Sequence, residues 1–505
     1  MTSVPNHLLQ LNGSKQPRGK PTRHLFGKNT FNYEASLGVF KSRLSSKFLL
    51  IPLLVTLLLV PSCKTKKVQK EDITSKETVL LPDTIKLPEI LIDSLLSDID
   101  SFETKDRYNI AFVLPFFLDS LKSDSLKKQA HYFFDDASMS LNFYLGATLA
   151  LDSLKNMGLN ADVHVFDSKN NLGQLVQLKK TGALDSMDLI IGPVYNSNVR
   201  YMAKWARQNK KIIINPLSPT ADLTKDNPWF IQINPSINTH IENLFELLRF
   251  KFPKENKILI NRPITNELNY RELWEKLAVQ HNTIADSIKK AVEFPKFPLD
   301  SVKLKHFIIT EEDDKMIRKN QLEEDSIFVN LLQEDSLNIL ILNTIDRAFI
   351  SKLNRNLYKL SENYEILVVG LPVWNALEDF RLDYVERFQL HYSSDYHIDT
   401  NFYKSSVYQF ALDSLYINPG AFFIKGFDIT MWMGQGLMQY GLDLKTELHK
   451  DKLDGFHNKF RLKSNFTDPA DTSNRVNYLE NSYVHLLYIS GYQIKNARKP
   501  IKEKE

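Results

Sequence analysis

Short apolar runs alternate with apolar residues at helical spacing over most of this chain. The clearest case begins at Leu189–Ile191, an apolar run that Gly192 ends, and finishes at Ile212–Ile214, a run that Asn215 ends. Between the two runs, apolar residues recur at the spacing of one helix face, at Val199, Met202, Ala203 and Ala206. This pattern predicts strand, helix, strand, with a polar loop at the carboxyl end of each strand.

The same alternation continues on both sides of this unit. Further strands are predicted at Tyr108–Leu114, Ala161–Asp167, Lys257–Asn261, His306–Thr310, Leu337–Leu342 and Glu365–Gly370. Further helices are predicted at Leu172–Leu184, Tyr270–Gln280, Ile327–Gln333 and Ala348–Leu360. The acidic run Glu311–Asp314 is predicted to be a solvated loop, because the spacing and glycine of a calcium-binding EF-hand are missing. Strands that alternate with helices of this length indicate the α/β class, with parallel sheets covered on both faces.

The loop Tyr195–Asn198 follows the first of the two central strands. Its asparagine and serine residues are expected to cap the next helix. Loops at the carboxyl ends of parallel strands are where α/β sheets bind ligands, so this loop and the one after Ile214 are candidate ligand loops. The spacing alone is equally typical of any Rossmann-like protein.

The N-terminal region has the pattern of a secretory signal. The segment Lys41–Lys47 is rich in basic residues, and Phe48–Val60 form an apolar run of 13 residues. A run of that length is too short to span a bilayer and suits a signal peptide. The segment Val60-Pro61-Ser62-Cys63 that follows resembles a bacterial lipobox, in which the cysteine thiol carries a diacylglyceryl group. Lipid on Cys63 would then hold the protein to a membrane; the alternative is an unrelated cysteine beside an ordinary signal or anchor.

Cysteine usage and charge exclude several other classes of protein. Cys63 is the only cysteine, which excludes a disulfide framework and a cysteine-based metal site. The first 62 residues hold eight Lys and Arg against one acid, which leaves 56 basic and 59 acidic residues in the remainder, a net charge of −3. No basic surface is left for nucleic acid. No metal, cofactor or catalytic motif is recognised, so the sequence predicts a protein that is not an enzyme.

Several motifs resemble one known family. IIGPVYNSNV, followed after a helix by IINPLSPT, is similar to the first lobe of type I periplasmic binding proteins, above all the leucine/isoleucine/valine receptors of ABC importers. YLGATLALDSL resembles a helix of that lobe, Phe230–Ser236 resembles the point where the chain leaves it, and Gly426-Phe427-Asp428 resembles the start of a helix that returns to it. The resemblance runs from about Tyr108 to about Gln493.

The resemblance implies two Rossmann-like lobes with parallel sheets, joined by a hinge that the chain crosses three times. Residues 1–62 are then the N-terminal extension and lipoprotein signal, and 63–106 a flexible tether. The first lobe comprises 107–235 and about 400–455. The second lobe comprises 236–399 and about 456–495, so that the two β-rich segments near the C-terminus are expected in the second lobe.

The resemblance also implies a ligand site between the lobes. Ser197 and Ser218 match first-lobe positions that hold a ligand carboxylate, and Tyr270 matches a tyrosine of the second lobe. The predicted ligand-binding set is completed by Pro115, Phe116, Tyr195, Leu217, Thr220, Thr344 and Pro372. The family pairs the ligand ammonium with an acid in a turn that corresponds to Gly370–Val373, where this chain has none. A free α-amino acid is therefore a poor candidate ligand, because a desolvated ammonium needs a partner.

Two functions follow from these expectations. The first is a membrane-anchored, periplasm-facing lipoprotein that captures a small solute for import through an ABC permease or for sensing. The second is a lipoprotein scaffold of the same fold that regulates an envelope enzyme of peptidoglycan synthesis, as do the activators of penicillin-binding proteins. Their motif I-x-G-P-x-x-x-x-N-V also fits IIGPVYNSNV.

Overall fold

The computed structural model describes residues 104–119, 126–291, 299–322, 328–375, 380–448, 458–466 and 476–498. The strands are β1 Tyr108–Leu114, β2 Ala161–Asp167, β3 Leu189–Ile191, β4 Ile212–Asn215, β5 Phe230–Gln232, β6 Asn256–Asn261, β7 Leu304–Ile308, β8 Asn338–Leu342, β9 Ile366–Gly370, β10 His391–Ser394, β11 Leu462–Phe466, β12 Val476–Asn481, β13 His485–Ser490 and β14 Gln493–Asn496. The helices are α1 Leu126–Asn156, α2 Leu172–Lys180, α3 Asn196–Asn209, α4 Ile237–Lys251, α5 Thr265–Ala291, α6 Glu311–Lys319, α7 Arg347–Leu360, α8 Leu382–Arg387, α9 Ser406–Asp413, α10 Ala421–Tyr440 and α11 Leu444–Glu447.

These strands form two sheets of seven strands each. The first has the order β11-β12-β5-β4-β3-β1-β2 and the second the order β14-β13-β10-β9-β8-β6-β7. Five strands of each sheet are parallel and follow the same order, and β12 is parallel to β5. The antiparallel pairs are β11 with β12 in the first sheet, and β13 with both β10 and β14 in the second. The predicted α/β class with two lobes is confirmed, although each sheet is mixed and not wholly parallel.

Helices cover both faces of the first sheet. Alternate residues of β1 point to opposite sides, as the period of a strand requires. Ile110, Phe112 and Leu114 join a core cluster with α1 and α10, whereas Ala111 and Val113 join a cluster with α2 and α3. A strand buried on both faces is continuously apolar, which is why these runs are apolar throughout.

The second sheet is covered in the same way. Leu259 and Ile341 pack with α4 and α5 on one face. Ile260 and Leu342 pack with α6, α7 and α8 on the other. Each lobe therefore has its own core on either side of its own sheet.

Helices α1 and α10 pack unusually closely, because two glycines lie at their contact. A Cβ atom on Gly146 would lie 1.9 Å from the carbonyl oxygen of Phe423, and one on Gly426 would lie 1.9 Å from the carbonyl oxygen of Phe143. The helix backbones thus touch, and only glycine fits at these two positions. Helix α10, which follows the second lobe in sequence, is in this way fixed to the first lobe.

The chain crosses between the lobes three times: at 233–236, between β10 and α10, and at 482–484, where the last crossing comes later than the expected position near 456. The expectation that about 456–495 lies in the second lobe is wrong for two strands. β12 pairs with β5, and β11 pairs with β12, so both belong to the first sheet. Only β13 and β14 belong to the second. The apolar pattern identifies the strands but not the strands beside them in the sheet, because pairing partners are distant in sequence.

The prediction of a loop at Glu311–Asp314 is also wrong. These residues form the first turn of α6, which Thr310 caps. The Thr310 hydroxyl accepts a hydrogen bond from the Asp313 amide, and the Asp313 carboxylate accepts one from the Thr310 amide, which is a capping box. Four acids in a row are stable there because they face the positive end of the helix dipole.

The predicted signal, the lipidation candidate Cys63 and nearly all of the tether lie outside the described residues. Among the helices in the described part of the chain, none is long and apolar enough to cross a bilayer.

Candidate functional site

The carboxyl edges of the two sheets meet at the junction of the lobes. Asn234 follows β5 in the first lobe, and Asp395 follows β10 in the second. The ammonium of Lys425 donates a hydrogen bond to Asn234 Oδ1 at 3.2 Å and forms an ion pair with Asp395. Since the central strands of each sheet are parallel, the loops that follow them converge on this junction.

The first of these loops begins at Gly192. This residue has φ +101°, and a Cβ atom there would lie 2.2 Å from the carbonyl oxygen of Val113. The left-handed backbone and the close approach to β1 both require glycine. The turn sends the chain directly from β3 into the loop that precedes α3.

An open pocket of about 470 Å³ lies between the loops that follow β2, β3 and β4. We call its lining the first-lobe rim: Asn170, Val194, Tyr195, Asn196, Ser197, Ser218, Pro219 and Thr220. Four of the predicted ligand-binding residues, Tyr195, Ser197, Ser218 and Thr220, are thus brought together. The Tyr195 side chain is exposed, with 37% of its surface accessible, and offers an aromatic face to solvent.

Hydrogen bonds between two loops shape the first-lobe rim. The Ser218 hydroxyl donates to Asn196 Oδ1 at 2.5 Å, and the Asn196 amide donates to Thr220 Oγ1 at 2.9 Å. The side chain of Asn215 closes the second loop. Its Nδ2 donates to the backbone carbonyl of Ser218 at 3.0 Å, and its Oδ1 accepts from the backbone N–H of Ser218 at 3.1 Å. The two loops are therefore held in register before any ligand arrives.

The expectation that a side chain of this loop caps α3 is wrong. Tyr195 occupies the N-cap position and its side chain makes no capping hydrogen bond. The Asn196 side chain, which could have competed for that role, bonds across to Ser218 and Thr220. The positive end of the helix dipole consequently lies at the pocket without a capping side chain.

In the second lobe, the loops that follow β6 and β8 carry a charged network together with the start of α5. We call Arg262, Glu267, Thr344 and Asp346 the second-lobe rim. The Arg262 guanidinium donates to Glu267 Oε1 at 2.6 Å, to Asp346 Oδ2 at 2.8 Å and to Thr344 Oγ1 at 3.2 Å. It also lies 4.7 Å from the ring centroid of Phe349. The Glu267 side chain is 4% exposed and that of Asp346 is 40% exposed.

Two carboxylates around one guanidinium leave the second-lobe rim with net negative charge. Burial opposes the charged form of Arg262, but hydrogen bonds and charges from Glu267 and Asp346 outweigh this and raise its pKa. A hydrogen bond from the Phe349 amide lowers the pKa of Asp346, and the hydrogen bond and charge of Arg262 lower it further. Arg262 and Asp346 are thus ionised at neutral pH. This rim disfavours an anionic ligand, while the first-lobe rim supplies only uncharged groups and a helix terminus.

The remaining predicted residues lie elsewhere along the same edges. Pro115 and Phe116 are buried after β1, and the Phe116 ring packs edge-on against Tyr144 with centroids 5.8 Å apart. Leu217 is half-buried against the first-lobe core. Tyr270 packs against the core under α5, where burial and the charge of Glu267 raise its pKa. Thr344 joins the second-lobe rim, and Pro372 begins a short turn of 3₁₀ helix after β9.

Sequence reasoning missed Asn170, Asn196, Arg262, Glu267 and Asp346. Three of them could have been found, because Asn170, Arg262 and Asp346 each follow within four residues of a strand that the sequence does predict. The role of Asn196 was open to a capping interpretation. Glu267 lies inside α5, and nothing in the local pattern connects it with Arg262.

No group of three or more His, Cys, Asp or Glu in the described ranges is arranged to hold a metal ion.

No protein-family model and no curated protein matches this chain. Its structure is similar to that of a protein from Rhodospirillum rubrum named as a branched-chain amino acid ABC transporter, with a TM-score of 0.50, 12% identity, and coverage of 77% of this chain and 99% of that one. Two further similar structures are an ABC transporter substrate-binding protein from Desulfitobacterium hafniense in complex with leucine (TM-score 0.46, 12% identity, 77% and 99% covered) and the substrate-binding protein LivJ of Streptococcus pneumoniae in complex with isoleucine (TM-score 0.41, 11% identity, 78% and 98% covered). At such identities the likeness to the Rhodospirillum protein shows the fold, that of type I periplasmic binding proteins.

Proposed function

We propose that this protein is a non-catalytic solute-binding lipoprotein that faces the periplasm and takes a small uncharged polar solute into the junction between its lobes. The observation that carries the proposal is the composition of the first-lobe rim. Its lining side chains include asparagine amides, serine and threonine hydroxyls and one exposed aromatic ring, and none is charged at neutral pH. Sites of this kind orient a ligand by a few placed hydrogen bonds and an apolar contact.

The charge arrangement separates this solute from the amino acids bound by the similar structures. A ligand carboxylate would meet hydroxyls and a helix terminus in the first lobe, with no basic side chain in the pocket lining. The pocket lining holds no acid for a ligand ammonium, and the carboxylates of Glu267 and Asp346 already bind Arg262. Withdrawing either charge from water without a strong partner costs several kcal/mol. An uncharged solute avoids this cost on both sides.

Thermal unfolding of the full-length chain in detergent tests the binding role. The panel contains leucine, isoleucine, neutral monosaccharides, nucleobases and dipeptides. A ligand at a hundredfold excess over its Kd should stabilise the protein by about 2.7 kcal/mol and raise its Tm. Asn196→Ala should remove this rise, because Asn196 joins both loops of the pocket, whereas the control Thr283→Ala, on the exposed face of α5, should leave it unchanged.

A rise in Tm with leucine as large as with any neutral solute would contradict the assigned ligand class. A rise that survives Asn196→Ala would contradict the assigned pocket.

The membrane anchor is tested separately, because Cys63 lies outside the described residues. Cys63→Ala removes the only thiol and therefore the only site for a thioether-linked lipid. The variant should leave the membrane fraction after a high-salt wash, while the unchanged protein should remain. Retention of the variant would contradict lipidation at Cys63.

One observation favours the scaffold as a second candidate. The Ser218 amide and hydroxyl, which the family resemblance assigns to a ligand, already bond to Asn215 and Asn196. A scaffold that contacts a peptidoglycan synthase needs no open donors in this pocket. Under this alternative no solute raises the Tm, and crosslinking in the envelope joins the protein to a synthase. An importer-linked receptor would instead be crosslinked to an ABC permease.

A further inference from the structure

A buried ion pair joins the two lobes at their junction. Lys425 lies on α10, which the Gly146 and Gly426 contacts fix to the first lobe, and Asp395 follows β10 of the second sheet. The two side chains are only 10% and 16% exposed. Burial alone would raise the pKa of Asp395, but the charge and hydrogen bond of Lys425 lower it below its ordinary value. Asp395 is therefore ionised beside Lys425, and a change in the angle between the lobes must alter the separation of the two side chains.

Two histidines lie in the same buried region. His240 on α4 is 1% exposed, and its Nδ1 has no hydrogen-bond partner within the described residues. His485 on β13 is buried as well, and among those residues its Nε2 has none. Burial lowers the pKa of His240 to about 4 and that of His485 to about 3. Both rings are therefore neutral at physiological pH.

The charges around these histidines come from both lobes. Asp395 and Glu480 favour protonation of His240, and Lys425 opposes it. Asp395 also favours protonation of His485, whereas His397, Arg498 and Lys459 oppose it. The His397 ring centroid lies 6.0 Å from that of His485, and burial lowers the pKa of His397 too. Burial outweighs these charges for all three histidines. Access of water to the rings would therefore raise their pKa values again.

We propose that the Lys425–Asp395 pair is an acid-sensitive latch, which holds the lobes in the orientation seen here at neutral pH and opens when His240 and His485 take up protons. The junction in this arrangement buries the ion pair and both rings together, so separation of the pair admits water to all of them. The latch belongs to the hinge and needs no ligand, and its test is independent of the proposed solute.

The direction of the pH effect follows from linkage. A hydrated histidine has the ordinary pKa of 6.5, above the values in the latched form. The open form therefore binds protons as the pH falls below 6.5, while the latched form binds them only near 4 and 3. Acidification to about pH 5 should favour the open form by up to about 30-fold for each fully hydrated histidine, and neither contributes above about pH 7.5.

Distance measurements between spin labels test the latch in the full-length chain. In a Cys63→Ser background, Lys204→Cys on α3 and Arg355→Cys on α7 place one label on each lobe at exposed positions. Double electron–electron resonance without ligand should give one distance population at about pH 7.5 and a second at about pH 5. The same distribution at both pH values in the otherwise unaltered protein would overturn the proposal, and this result requires no core variant.

Variants assign the response to its residues. His240→Gln and His485→Gln should each reduce the acid-induced population, and the triple variant that adds His397→Gln should abolish it. Asp395→Asn with Lys425→Met should show the second population already at about pH 7.5. An acid response that persists in the triple histidine variant would overturn the assignment.

Two matched controls should leave the response unchanged. His391 is equally buried with a pKa of about 4, but it stacks on Tyr488 within the second lobe, so His391→Gln should not alter the distance change. Arg318→Met with Asp314→Asn removes an ion pair within α6 alone. A loss of the acid response in either control would attribute it to general destabilisation and overturn the latch.

Discussion

The two lobes share one strand order but place charge differently at the junction where their loops meet. The first-lobe rim is uncharged, and its loops are joined by the side chains of Asn196, Ser218 and Thr220. The second-lobe rim gathers one guanidinium and two carboxylates around Arg262. The loops after β3 and β8, which occupy equivalent places in the two sheets, thus carry unrelated chemistry, because the sheets specify where a loop lies and the loop residues alone specify what it binds.

The lobes also differ in how their sheets are covered. The second sheet is flanked by helices that mostly lie close to its strands in sequence, α4 to α8. The first sheet receives α10 from beyond the second lobe, through a contact that two glycines make possible. Damage to that contact should therefore affect one lobe more than the other. The following predictions run from the largest expected effect to the smallest.

Gly426→Ala should destabilise the first lobe by about 3 kcal/mol or more, because the new methyl group would lie 1.9 Å from the carbonyl oxygen of Phe143 and force α1 and α10 apart. Hydrogen exchange should show loss of protection in β1 before β8. The control is Gly420→Ala, since a Cβ atom at that position has nothing within 4 Å. Equal losses of protection in both sheets would contradict the conclusion that each lobe has its own core.

Arg262→Met should cost about 2 kcal/mol, somewhat less than a fully buried pair, because Arg262 is 23% exposed while the Glu267 side chain is 4% exposed and would lose its guanidinium. Urea denaturation measures the loss. Arg318→Met, which removes an exposed pair within one helix, should cost less than about 0.5 kcal/mol. Similar costs for the two variants would show that the second-lobe network does not stabilise its loops.

Ser218→Ala should cost about 1 kcal/mol without ligand, because it leaves Asn196 Oδ1 without the hydroxyl that it accepts from. Thermal unfolding of the unliganded protein measures this. Ser197→Ala removes an exposed hydroxyl of the same pocket and should be nearly neutral. If the two serine variants are equally stable, the bond between the loops contributes nothing measurable.

Asp346→Asn should cost about 0.5 kcal/mol near neutral pH, because asparagine keeps the N-cap of α7 while the partly exposed ion pair is lost. The pKa of Asp346 lies below 3.8, so its contribution is present above that pH and disappears as the pH falls through the lowered pKa. Urea midpoints of the two proteins should therefore converge under acid. A difference between the two urea midpoints that stays constant down to about pH 3 would contradict the assigned charge effect.

The sequence predicts the strands of both lobes better than it predicts their partners. The bounds of β1 and β3 agree with the apolar runs, because a strand buried on both faces has a local signature. The positions of β11 and β12 depend on which distant strand they join, and no local pattern carries that information. The acidic run before Lys315 was misread for a related reason, since its meaning depends on the threonine that precedes it.

The candidate site was predictable to the extent that it follows from topology. Tyr195, Ser197, Ser218 and Thr220 come together because each lies in a loop after a predicted strand or, for Ser197, in the first turn of the helix that follows it. The Arg262–Glu267 pair could not be predicted, because it forms only where the start of α5 lies beside the end of β6. The Lys425–Asp395 pair could not be predicted either, because its two residues come from different lobes. Whether the predicted residues hold a ligand stays a prediction until binding is measured.

The placement of α10 also determines the order in which the lobes can mature during synthesis. About 190 residues separate the end of β5 from the start of α10, so a ribosome at about 5–20 residues per second needs roughly 10–40 s to bridge that interval. During this time one apolar face of the nascent first sheet is covered by α1 but still lacks α10, although β1 to β5 already exist. The helices of the second lobe are made before α10, so that lobe can bury both faces of its central strands sooner. The N-terminal lobe thus waits longest for a helix that packs on its central strands, although β13 and β14 of the second sheet are the last strands to be made.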